Sequence, residues 1–145
     1  MQEVNFDEVV TLILAQDARY SRDAYLFLRE GLDFTQKLIS KENRGATRHV
    51  TGQELLSGLR QFALQEFGPM AKTVLEEWGI QRCTDFGNIV FNMVEIGLLA
   101  KTDKDSHDDF QNGYDFTDAF CKPFWPAARR EAARKEGGPV EELKG

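Results

Sequence analysis

A chain of 145 residues with 41% hydrophobic and 29% charged side chains suits one compact domain, and its eleven Phe supply enough large apolar surface to exclude disorder over most of the length. The net charge of −6 is concentrated, since residues 102–121 carry six Asp against one Lys, a balance that repels a polyanion. No apolar run reaches the roughly 18 to 20 residues that span a bilayer, and the acidic start MQEVNFDEVV is no signal peptide, so a cytoplasmic protein is expected, with no membrane partner and with Cys83 and Cys121 reduced.

Phe6, Val9, Val10, Ile13 and Leu14 recur at helical spacing and predict a first helix ending near Gln16. Ser21 can cap a second, which carries Ala24, Phe27, Leu28, Gly31, Leu32, Thr35, Leu38 and Ile39 on one broad face to about Lys41. The polar stretch 42–48 reads as a connection. Thr51-Gly52-Gln53-Glu54 fits a capping box, in which the threonine hydroxyl and the glutamate each satisfy a backbone N–H at the helix start. A third helix from there bears Leu55, Leu56, Leu59, Phe62, Ala63 and Phe67, and Gly68-Pro69 stops it and opens a fourth, to Trp78. With Thr84 as N-cap, a fifth helix spans about Asp85 to Ile96 and ends at Gly97. Beyond it Leu98 to Thr102 reads as extended, and Tyr114-Asp115-Phe116, past an Asn112-Gly113 turn signal, reads as the returning strand.

This order predicts a mainly α (α+β) protein: an N-terminal helix pair (1–48) packed on a winged-helix-like three-helix unit with a small β-hairpin (49–125), followed by a tail, 126–145. Phe124 and Trp125 are expected to pack back on the domain, Pro126 to Lys135 to form a short basic helix, and residues from Gly137 to be disordered. The phrases RYSRDAYLFLREGL (19–32), RHVTGQELL (48–56), FGPMAKTVLEEWGI (67–80), TDFGNIVFNMVEIGLLAKTDKDS (84–106) and DDFQNGYDFTDAF (108–120) resemble a bacterial protein family with no assigned activity. The resemblance runs from residue 5 to about 124. It implies a single domain and carries over no catalytic or binding residue.

The fifth helix would hold the recognition position of a winged helix. On a helical wheel Phe86, Ile89, Val90, Met93, Val94 and Ile96 turn inward, leaving Asp85, Asn88, Phe91, Asn92 and Glu95 on the other side. Asn88 and Asn92 have the chemistry to read adenine, but no Lys or Arg accompanies them and acids flank them, so duplex DNA is a poor partner for helix 84–96. The wing adds Asp103, Asp105, Asp108 and Asp109. Phe91 is either covered by the N-terminal helices or an anchor for a protein partner, where aromatic residues dominate binding.

Other chemistries find little support. A calcium loop starting at Asp103 would need glycine at its sixth place and glutamate at its twelfth, where Asp108 and Tyr114 stand. His49, Cys83, His107 and Cys121 show no spacing suited to zinc or to Cys–His nucleophilic catalysis. No phosphate-binding glycine loop occurs, and no cofactor is expected. The expectation is therefore a non-catalytic protein-interaction module built on Asn88, Phe91, Asn92, Glu95 and the Asp103, Asp105, Asp108 and Asp109 acids, engaging a protein partner or a second copy of itself. The alternative is a transcriptional regulator or other nucleic-acid binder, using Arg129, Arg130, Arg134 and Lys135, the main basic cluster.

Overall fold

In the computed structural model Thr51 Oγ1 accepts the Glu54 N–H at 3.1 Å while Glu54 Oε1 accepts the Thr51 N–H at 3.0 Å, so the capping box forms as its sequence predicts. The structure describes residues 5–42, 50–99, 107–111 and 113–126. Its helices are α1 (Phe6–Gln16), α2 (Arg22–Glu42), α3 (Gly52–Phe67), α4 (Ala71–Glu77), α5 (Cys83–Glu95) and α6 (Phe116–Phe120). Tight 3₁₀ turns occupy Gly68–Met70, His107–Phe110 and Lys122–Phe124.

The apolar stripes of these helices meet in one core, in which Leu28 of α2, Leu59 of α3, Leu75 of α4, Phe86 and Ile89 of α5 and Phe120 of α6 are wholly buried. The long α2 packs closely along α3. Gly58 is the reason: a methyl group there would collide with Thr35 Oγ1, itself buried and donating to the Gly31 carbonyl at 2.8 Å. Arg22 ties α1 to α2 by donating to the Asp7 carbonyl at 2.9 Å and to Thr11 Oγ1 at 2.7 Å.

The expected β-hairpin is not formed: among the described residues there is no strand. Two local preferences overrule the extended reading. Gly97 takes φ 89°, and the N–H groups of Leu98 and Leu99 both turn back to the Met93 carbonyl, at 2.9 and 3.4 Å, closing α5 where a strand would have begun. Asp115 accepts from Thr117 N at 2.9 Å and Asp118 N at 3.2 Å, making it the N-cap of α6, whose Phe116 and Phe120 are buried one turn apart. The Tyr114-Asp115-Phe116 alternation thus marks a helix entrance. Residues 100–106 and 112 lie outside the described residues; over the described ones the fold is mainly α, with helix α6 where the returning strand was expected.

Two smaller corrections follow the same logic. Thr84 lies inside α5, which begins at Cys83, because the Asp85 carboxylate already accepts the N–H groups of Gln81 and Arg82 at 2.8 and 3.2 Å. Phe124 stands 45% exposed instead of packing back, whereas Trp125 is half-buried beneath the Lys122 ammonium. No helix among the described residues is long and apolar enough to cross a membrane.

Candidate functional site

The polar side of α5 faces inward, against the link between α1 and α2. Tyr20 Oη donates to Asp85 Oδ1 at 2.6 Å and accepts from Asn88 Nδ2 at 2.8 Å. One turn on, Asn92 Nδ2 donates to Asp17 Oδ2 at 2.9 Å and to Tyr25 Oη at 3.0 Å. Asp17 also receives Arg19 through its backbone N–H, Nε and Nη2, at 3.1, 2.9 and 2.7 Å. The link is pinned from a third direction, since Ser21 N donates to the Trp78 carbonyl and Gly79, at φ 93°, passes so close to the Arg19 carbonyl that a side chain there would strike it.

The electrostatics follow from these contacts. The Arg19 hydrogen bonds hold the Asp17 carboxyl well below the usual carboxylate range, and burial pushes the Tyr20 phenol up to about 12. Burial likewise raises Tyr25. The network is acid, amide and phenol, each already bonded inside the molecule. It explains why Asn88 and Asn92 are half-buried instead of presented to solvent.

Of the remaining expected site residues, only Glu95 lies near them among the described residues. Glu95, at the end of α5, is exposed beside a shallow hollow of about 190 Å³ lined by Ile13, Gln16, Asp17, Asn92 and Ile96. Phe91 points another way, packing edge-on against Phe110 with ring centres 6.3 Å apart. Asp108 is exposed, and Asp109 lies half-buried over the start of α3, its carbonyl accepting Gln53 Nε2 at 2.7 Å. Asp103, Asp105, Arg129, Arg130, Arg134 and Lys135 lie outside the described residues.

Around Phe91 the helices leave an apolar cleft of about 180 Å³. Val90, Phe91 and Val94 of α5 form one wall, Leu32 and Gln36 of α2 and Val50 and Leu55 at the start of α3 the other, with Leu99 and Phe110 between. The sequence marked Phe91, but its companions come from three other parts of the chain. No short-range signal joins them. Among the described residues no group of three or more His, Cys, Asp or Glu is placed to hold a metal ion. Cys83 is buried, its thiol pKa raised by that burial, and its sulfur exchanges hydrogen bonds with the Tyr114 backbone at 3.4 and 3.5 Å. No family model, no curated protein and no solved structure matches the chain.

Proposed function

We propose that the protein is a non-catalytic, cytoplasmic interaction module, and that its contact region is the cleft around Phe91, which receives an apolar side chain of a basic protein partner. One observation carries the reading. With Asn88 and Asn92 spent on Tyr20, Tyr25 and Asp17, what α5 has left to offer is the apolar wall of Val90, half-buried Phe91 and Val94. A cleft of about 180 Å³ accommodates one large side chain, whereas small-molecule pockets commonly enclose roughly 300–1,000 Å³. Aromatic walls of this kind supply the central anchors of protein interfaces. Asp109 at the rim and the net charge of −6 favour a basic partner over a nucleic acid. Duplex DNA gains little from α5, which carries no Lys or Arg and whose two asparagines are engaged internally.

The test places a photo-crosslinking residue at Leu99, on the cleft, and at exposed Leu12 of α1 as control. A protein captured in native lysate from position 99 and not from 12 is then purified and titrated. Phe91→Ala, which empties the cleft, and Val94→Phe, which fills it, are each expected to weaken that complex by about tenfold or more. Unchanged affinity in both variants, both folded by circular dichroism, would overturn the proposal. So would tight duplex-DNA binding that strengthens steeply as salt falls.

A further inference from the structure

A second surface runs along the α2–α3 pair and borders the Phe91 cleft at Leu32 and Gln36. Its floor is aromatic. Phe62 of α3 lies between Phe27 and Phe34 of α2, with ring centres 5.4 and 5.3 Å away, and Phe27 continues the floor to Phe67 at 6.0 Å and Trp78 at 5.8 Å. Leu26 sits over this floor with 40% of its surface exposed. Two hollows, of about 850 and 90 Å³, share Leu26, Glu30, Phe62 and Glu66, so they form one continuous groove.

The rim of the groove is unevenly charged. Asp23, Glu30 and Glu66 line it and form no ion pair among the described residues. The two cations at the same edge are committed elsewhere, Lys37 to Asp33 at 3.2 Å and Arg29 over the Phe6 ring at 4.7 Å. A groove with an apolar floor and unpaired carboxylates suits an occupant that brings apolar side chains together with cations. Lys and Arg meet that need doubly, since their stems lie on aromatic surface while their heads reach the carboxylates.

We infer that the groove between α2 and α3 binds a basic amphipathic helix of a partner protein, its apolar stripe on Leu26, Phe62 and Phe67 and its Lys or Arg heads on Asp23, Glu30 and Glu66. The length follows from α2. Residues 23 to 37 border the groove, about 21 Å at 1.5 Å per residue, which matches an occupant of about four turns. The recognition mode is a helix laid in a groove, with anchors spaced at i, i+3 or i+4, and i+7.

The probe is a fluorescein-labelled synthetic helix of about 15 residues, with Leu along one face and Lys on the other, beside the same peptide with every Lys changed to Glu. Anisotropy titrations with the full chain are expected to show binding of the Lys peptide alone. Glu30→Gln with Glu66→Gln, both exposed, should weaken it about tenfold, and Leu26→Arg should abolish it, while Glu8→Gln with Glu95→Gln, elsewhere on the surface, leaves it within about twofold. Equal loss from both carboxylate pairs would reduce the effect to net charge and overturn the inference. Binding indifferent to the groove variants would do the same, as would sedimentation showing that the free chain fills its own groove as a dimer that Leu26→Arg dissociates.

Discussion

Tyr20 carries more of this structure than its place in a short link suggests. Its ring is 2% exposed, its hydroxyl joins Asp85 and Asn88 of α5, and the Arg19 guanidinium lies 5.2 Å from its ring centre. Because folding raises its pKa from 10.0 to about 12, the folded state holds its proton more firmly than the unfolded chain does. That contribution is complete below pH 10 and is lost as pH climbs from 10 toward about 12. Urea unfolding across this range should show a steep alkaline fall that Tyr20→Phe flattens. Asp17 works in the opposite sense. Its folded pKa lies below the unfolded value of 3.8, so its contribution is present above that value and disappears as pH falls below it. The stability gap between the native chain and Asp17→Asn should therefore narrow in acid, and a gap independent of pH would argue against the Asp17–Arg19–Asn92 cluster. At Gly58, where the obstruction is the Thr35 side chain, Gly58→Ala is expected to cost about 1–3 kcal/mol in the same assay.

Caps decide the elements. Thr51 and Asp115 each satisfy backbone donors at a helix start, so Thr51→Ala and Asp115→Ala should each lower stability by about 1 kcal/mol in chemical denaturation. Loss of α6 amides from hydrogen-exchange protection should accompany Asp115→Ala alone. The same physics explains what could be read in advance. Helices α1 to α4 were legible because apolar periodicity and terminal signals at Thr51 and Gly68-Pro69 agree with one another, although the Ser21 hydroxyl, expected to cap α2, is buried with no hydrogen-bond partner. The segment after Gly97 was misread because three residues, Tyr114-Asp115-Phe116, are too few to separate alternation from the entrance of a helix. Likewise the wheel placed Asn88 and Asn92 on one side of α5, but a wheel does not say whether that side meets water or Tyr20 and Tyr25, more than sixty residues away.

For the molecule as a whole, charge and burial are what support the proposed protein partner over a nucleic acid. Helix α5 is joined by its polar side to the α1–α2 link and by its apolar side to the core, and its Val90, Phe91 and Val94 line the cleft. The site proposed at the Phe91 cleft depends on that arrangement, because an α5 with its asparagines exposed would present a polar reading face in place of an apolar cleft. The most direct measurement is equilibrium urea unfolding of Asn88→Ala and Asn92→Ala against the native chain at neutral pH. Internal hydrogen bonds predict a loss of about 1–3 kcal/mol for each, since Tyr20, Tyr25 and Asp17 are left short of a partner. A change within about 0.5 kcal/mol for both, the signature of solvent-facing side chains, would contradict the account.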